Sequence, residues 1–163
     1  MTKLEYISKS EMDKLPPDQL AWAARINALY MVSKAGKGHL GTSLSSMEAI
    51  LVARRQMGEN DVFIGSKAHD AAAQYAVSIA LGTLAEPYIH QFRTERLPGH
   101  PTTDVPGVSA NCGSLGMGLS KSIGFARSGK GIVYCLLGDG EMMEGQNWEA
   151  ALFAKKMGVE NLV

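Results

Sequence analysis

A layered α/β fold around a largely parallel sheet is predicted by three observations. Two apolar runs, Val62-Phe63-Ile64 and Ile132-Val133-Tyr134-Cys135-Leu136-Leu137, read as buried strands set between helical segments. The second run leads straight into Gly138-Asp139-Gly140, a sharp turn at the carboxyl end of a strand, where open α/β sheets bind their ligands. The 18 glycines are concentrated between Gly36 and Gly145. Glycine-rich stretches without low complexity mark loops that approach a ligand closely.

The elements follow in order. Pro16-Pro17-Asp18 opens a first helix, because proline suits a first helical turn, and Ala35-Gly36-Lys37-Gly38 ends it near Lys34. A loop over residues 39–44 precedes a second helix. Ser45 and Glu48 stand at capping-box spacing, so this helix starts at Ser45 and stops near Gly58. The Val62 strand comes next, then residues 66–70 and an alanine-rich helix that stops at Gly82. A short helix is expected around Pro87 to Phe92. Residues 93–113 show no element, and a structureless stretch of that length inside a compact domain is usually functional or disordered. Gly113-Ser114-Leu115-Gly116-Met117-Gly118 then feeds a helix over residues 119–127. Residues 128–131 form a turn, the second strand follows, and a helix runs from about Gln146 to Met157. Asn161-Leu162-Val163 reads as the opening of another strand. A sheet of so few strands with an interrupted last one is expected to be completed by more chain or by a partner.

Composition narrows the function. The 16 Lys and Arg balance the 16 Asp and Glu, which speaks against a general nucleic-acid or membrane binder. No apolar run approaches the roughly 18 residues of a transmembrane helix, and residues 1–15 lack a signal-peptide core. A cytoplasmic location is the default expectation. Cys112 and Cys135 match no metal spacing or disulfide framework, so reduced thiols are expected.

Several groups carry chemistry. Asp139 suits a hard cation such as Mg²⁺, which is held by one or two carboxylates together with substrate phosphates. The alternative is a tight turn whose aspartate caps the next segment. Gly113, Gly116 and Gly118 could bring backbone amides to an anion at a helix N-terminus, or could simply permit close helix packing. Their spacing is not the dinucleotide fingerprint. His39, His69 and His100 each lie in or beside a loop. Neutral imidazoles converging there could donate hydrogen bonds or shuttle protons, although a packing role is open for each taken singly. His90 lies in the short helix beside Ile89. Glu141, Glu144 and Glu149 read as exposed helix-start carboxylates, with Glu144 singled out for a further role.

Taken together, these segments resemble the N-terminal region of the transketolase family. Gly38-His39-Leu40-Gly41-Thr42-Ser43-Leu44-Ser45, Ser66-Lys67-Ala68-His69 and Leu97-Pro98-Gly99-His100-Pro101 look like the family's three histidine loops. Residues 113–118 are similar to its glycine loop. Residues 138–150, Gly-Asp-Gly-Glu-Met-Met-Glu-Gly-Gln-Asn-Trp-Glu-Ala, resemble the start of its thiamine diphosphate signature. His39 is followed by leucine where many members have proline, and Ala68 stands where glycine is common.

The resemblance implies a thiamine diphosphate-binding fold, with a mostly parallel sheet covered by helices on both faces and incomplete at the C-terminus. Residues 1–163 would then form a partial diphosphate-binding domain. It implies that Asp139 binds Mg²⁺ and that Gly140 and His69 contact the diphosphate. Gly113, Ser114 and Leu115 would hold the rings of thiamine diphosphate, and His39 and His100 would act catalytically on the ketose. Glu144 would lie at the contact with a partner domain. A second metal ligand, an activating glutamate and phosphate-binding arginines would come from outside these residues.

The function expected is transfer of a two-carbon ketol unit from a ketose to an aldose, on sugar or sugar-phosphate substrates. The chain is not expected to be active alone. It would act as a homo-oligomer or with a subunit resembling the transketolase C-terminal half, and an apolar patch of Leu115, Met117, Met142 and Met143 would seek that partner. Two other readings are a non-catalytic assembly or regulatory module that keeps the fold, and an independent Mg²⁺-dependent phosphate-ester binder.

Overall fold

The computed structural model describes residues 4–129 and 131–163. The chain runs through α1 (Lys9–Met12), α2 (Leu20–Ala35), α3 (Leu40–Gln56), β1 (Val62–Gly65), α4 (Ala71–Ala80), α5 (Met117–Ser128), β2 (Val133–Leu136) and α6 (Gly145–Lys156). Single 3₁₀ turns occupy Glu86–His90 and Gly140–Met143. No helix among the described residues is long and apolar enough to cross a membrane.

β1 and β2 pair in parallel, with Val62 opposite Val133 and Gly65 opposite Leu136. Residues 161–163 extend the pairing along the other edge of β2. Val133 N donates to Asn161 O at 2.8 Å, Cys135 N to Val163 O at 2.8 Å, and Val163 N to Val133 O at 2.9 Å. The expected opening of a further strand is thus seen as one parallel bridge, Val133 to Leu162, beside a two-stranded sheet. Side-chain alternation divides the sheet into two faces. Phe63, Tyr134 and Leu136 face the main core beneath α2, α3 and α4. Val62, Ile64 and Val133 face a smaller cluster with Phe125 and Ala126 of α5. Helices thus cover both faces.

The main core is built around α4, in which every residue is buried. Its small side chains let α2 and α3 approach from either side, which is how a helix apolar on nearly all sides is accommodated.

Several boundaries differ from those expected. Pro16, Pro17 and Asp18 form the turn ahead of α2, and the helix begins at Leu20. Gly36, at φ 66°, closes it in the left-handed conformation. α3 starts at Leu40, so residues 40–44 are its first turn and Ser45 lies inside it. The capping-box reading of Ser45 and Glu48 fails because the hydroxyls of this segment bond backward within the helix. Ser45 Oγ donates to Thr42 O at 3.1 Å and Ser46 Oγ to the same carbonyl at 2.8 Å. Glu48 instead pairs with Arg25 of α2. The short helix near Pro87 is a 3₁₀ turn. Residues 93–113 carry isolated bridges only. The turn expected over residues 128–131 includes Lys130, which lies outside the described residues.

Candidate active site

Because β1 and β2 are parallel, their carboxyl ends open on the same edge of the sheet. β1 delivers residues 66–70 there, β2 delivers the Gly138–Glu141 turn, and the glycine loop enters α5 beside both. A cleft of about 390 Å³ lies between them, lined by Thr42, Ser45, Lys67, His69, Leu115 and Asp139, with Gly138, Gly140 and Glu141 completing the wall.

Asp139 is exposed at the head of the 3₁₀ turn, and its side chain makes no capping bond. Its carboxylate is therefore directed to no backbone donor of its own turn. A Cβ at Gly140 would meet no atom within 4 Å, so space lies open over that backbone.

Lys67 and His69 reach the cleft through a tight turn centred on Ala68, at φ 53°. A non-glycine residue is strained there, which accounts physically for glycine being common at this position in the family. His69 Nδ1 lies 2.6 Å from Lys67 O. A carbonyl only accepts, so Nδ1 is the donor of that bond. The Lys67 ammonium stands 3.8 Å from Asp70 Oδ2. Asp70 is fully buried, and its other oxygen accepts from Gln74 Nε2 at 2.7 Å.

His39 ends the loop between α2 and α3, immediately before Leu40, and its ring meets that of His69 edge-to-face at 5.5 Å between centroids. His100 lies in the long irregular stretch, exposed. Partial loss of hydration around its ring, then the positive fields of Arg93, His39 and His69, draw its imidazole below the ordinary histidine value. The three histidines, distant in sequence, thus share one neighbourhood.

Glu141 corrects the expectation of an exposed helix-start carboxylate. It is 2% exposed. Oε1 accepts from Ser66 Oγ and from Gly116 N at 3.0 Å, and Oε2 accepts from Gly138 N at 3.1 Å. Gly118 N donates to Ser66 Oγ at 3.1 Å, and Asn147 Nδ2 to Glu141 O at 2.6 Å. One buried carboxylate therefore ties together the β1 exit, the glycine loop and the Gly-Asp-Gly turn. Glu144 and Glu149 are exposed as expected.

Residues 17–163 match the family described as transketolase, thiamine diphosphate binding domain. The chain belongs to the transketolase family, in its thiamine diphosphate-binding domain. A transketolase-like protein 2 of Bos taurus is 37% identical over 88% of this chain and 26% of its own length. One of the subunits of the apulose-4-phosphate transketolase of Actinobacillus succinogenes is 36% identical over 93% of this chain and 61% of its own. A solved transketolase of Campylobacter jejuni superposes with a TM-score of 0.74 and 26% identity, over 90% of this chain and 27% of that one. The chain spans about a quarter of the single-chain relatives and about three-fifths of the Actinobacillus one.

In this transketolase domain, the cleft holds Leu115, His69, Gly140 and Asp139 together, while Gly113 and Ser114 are exposed and do not line it. Lys67, Thr42 and Ser45 line it without having been singled out from the sequence. The donor set suits a diphosphate: one ammonium, one imidazole and a glycine backbone free of Cβ atoms. It suits Mg²⁺ only as a shared ion. Among the described residues no group of three His, Cys, Asp or Glu could hold a metal, so Asp139 would supply one ligand and phosphate or water oxygens the others.

A larger concavity, about 800 Å³, lies elsewhere, between α5 and α6. It is an open groove lined by Ile123, Arg127, Glu149 and Phe153, away from the strand ends.

Proposed function

We propose that the chain acts as the cofactor-binding part of an enzyme that moves a two-carbon ketol unit from a ketose to an aldose, with thiamine diphosphate and Mg²⁺. The observation that carries this is the convergence of Asp139, Gly140, His69 and Leu115 on one cleft at the carboxyl ends of two parallel strands. Thiamine diphosphate, when bound, stabilises the carbanion that such a transfer requires.

This chain's residues have separate tasks. Asp139 would supply a carboxylate ligand to Mg²⁺ bound together with the diphosphate. Lys67 and His69 face the diphosphate charge, and the backbone at Gly140 lets it approach. Gly113, Ser114 and Leu115 support the cofactor rings. His39 and His100 hydrogen-bond the substrate. His100, drawn toward its neutral form, is suited to accept a proton.

We infer that the active protein is an assembly. Met143 is 88% exposed and Leu152 73%, and with Met117, Trp148 and Phe153 they leave apolar surface on and beside α6 that a lone soluble domain rarely presents. Leu115 belongs with this surface, whereas Met142, expected in it, is half-buried. The Actinobacillus relative is named as one component of a transketolase with more than one kind of chain, which supports assembly with a second chain. The substrates are sugar phosphates, by analogy with that relative's name.

The test is to tag the chain in its native cell, isolate it with whatever it binds, and assay two-carbon transfer from a ketose phosphate to an aldose phosphate. Transfer that depends on added thiamine diphosphate and Mg²⁺ supports the reading. A stable complex with no transfer under any cofactor condition refutes it and favours the non-catalytic module.

A further inference from the structure

Away from the cleft, a second cavity of about 270 Å³ lies between the end of α2 and the 3₁₀ turn at Glu86–His90. Its polar lining is Lys34, Lys37, His90, Arg93 and Thr94, and Met31 and Ile89 form part of its apolar wall. None of these residues lines the cofactor cleft.

Three features make it unlike an ordinary basic surface. The lining holds three permanent cations and no carboxylate. Among the described residues, no acidic side chain comes within salt-bridge distance of Lys34, Lys37 or Arg93. The nearest acid on the adjoining turn, Glu86, is already engaged: its oxygens accept from Tyr6 Oη at 3.0 Å and Lys9 N at 2.7 Å.

Arg93 is also fixed in place. Its backbone is left-handed, at φ 66°, and its amide donates to Leu97 O at 2.8 Å. The guanidinium lies against Gly99, where a Cβ would fall 2.5–2.6 Å from Nε, Cζ and Nη1. Buried there, Nε has no hydrogen-bond partner. On the opposite side, Lys34 Nζ, Tyr30 Oη and His90 Nδ1 form a chain with steps of 3.5 and 3.0 Å.

Like charges gathered around one concavity repel, and an anion seated among them removes that cost. A phosphate group matches the donors, a planar guanidinium and two ammonium groups. We propose that this cavity binds a phosphate dianion, either inorganic phosphate or the terminal phosphate of a sugar ester. The site is separate from the cofactor cleft and does not depend on the function proposed above. Arg93 also contributes to the field at His100, so an occupied site would reach the histidine cluster electrostatically.

The test is a titration of the full chain, followed residue by residue in amide correlation spectra, with inorganic phosphate and separately with ribose 5-phosphate. Ionic strength is held constant with chloride. Saturable shifts at Lys37, His90 and Thr94 are expected, and Lys34→Gln or Lys37→Gln should each weaken binding about tenfold, as for loss of one charge-assisted hydrogen bond. Tighter saturation by ribose 5-phosphate would assign the site to sugar esters, and equal affinity would assign it to phosphate itself. Shifts that chloride reproduces, shifts confined to the Gly138–Glu141 turn, or saturable binding unchanged in the Lys34→Gln, Lys37→Gln double variant would overturn the proposal.

Discussion

Ser66 donates its hydroxyl hydrogen to the buried carboxylate of Glu141, across 75 residues of sequence. Ser66 follows β1 directly, and Glu141 follows the Gly-Asp-Gly turn after β2. Their bond joins the two strand ends, and the amides of Gly116 and Gly118 complete it from the third loop. The position of Asp139 over the cleft rests on this junction.

Removing the charge at its centre should cost stability. Glu141→Gln keeps the shape but turns one acceptor into a donor facing backbone N–H or hydroxyl groups. The loss should be about 2–3 kcal/mol, the range for hydrogen bonds to a buried charge. Chemical denaturation measures it. A change below about 0.5 kcal/mol, the scale of an ordinary surface substitution, would show that the carboxylate does not organise the loops.

Gly118→Ala tests the same junction sterically. The new methyl would lie 2.3 Å from Ser66 Cβ and Oγ and 2.6 Å from its Cα, so backbone must move. Overpacking of this kind costs about 1–3 kcal/mol. Cofactor affinity should fall with it, whereas Gly124→Ala on the same helix, with open space at its Cβ, should leave affinity unchanged and raise stability by about 0.5–1 kcal/mol. Equal behaviour of the two variants in thermal melts would count against the packing described.

The histidine cluster makes a pH prediction. The folded value of His100 is lowered, first by partial loss of hydration and then by Arg93, His39 and His69. Between that value and the ordinary unfolded one, the unfolded chain binds more protons, so this group adds stability as pH rises through the window and loses it on acidification. A nuclear magnetic resonance titration of the His100 ring should give a midpoint below about 6.5, and Arg93→Gln should raise it. A midpoint at or above the ordinary value, unmoved by Arg93→Gln, would place His100 apart from the cluster.

In the assembled enzyme, Asp139→Ala and His100→Ala should differ in kind. Asp139→Ala removes the proposed metal ligand and should abolish Mg²⁺-dependent cofactor binding. His100→Ala should leave the cofactor bound and lower kcat by about 10²–10³-fold if it acts as an oxyanion-type donor. Steady-state kinetics at saturating cofactor separate the two, and a change in KM alone for His100→Ala would mean a ground-state contact.

Much of this was legible in the sequence because local chemistry and fold agree. The apolar run into Gly138 declared β2, the alanine-rich segment declared α4, and Asn161 to Val163 declared the added pairing along β2. What was not legible depends on partners distant in the chain. Glu141 looked like any acid in a first helical turn until Ser66, Gly116 and Gly138 were folded around it. Lys67 carried no signal of its own, and it lines the cleft beside the left-handed turn at Ala68. Ser45 and Glu48 had the spacing of a cap, but Thr42 and Arg25 claimed them. One local signal was overlooked: Ser8 and Glu11 do form a capping box, and it starts α1.

The central claim is that thiamine diphosphate binds in the Asp139 cleft with a metal shared between protein and phosphate. It is tested most directly by titrating the full chain with thiamine diphosphate and Mg²⁺ while following amide shifts, a method that reads weak binding. The account predicts saturable shifts at Lys67, His69, Leu115 and the Gly138–Glu141 turn that require Mg²⁺ and vanish in Asp139→Ala. Binding of equal strength without Mg²⁺ or in Asp139→Ala, or shifts that bypass this turn, would contradict it.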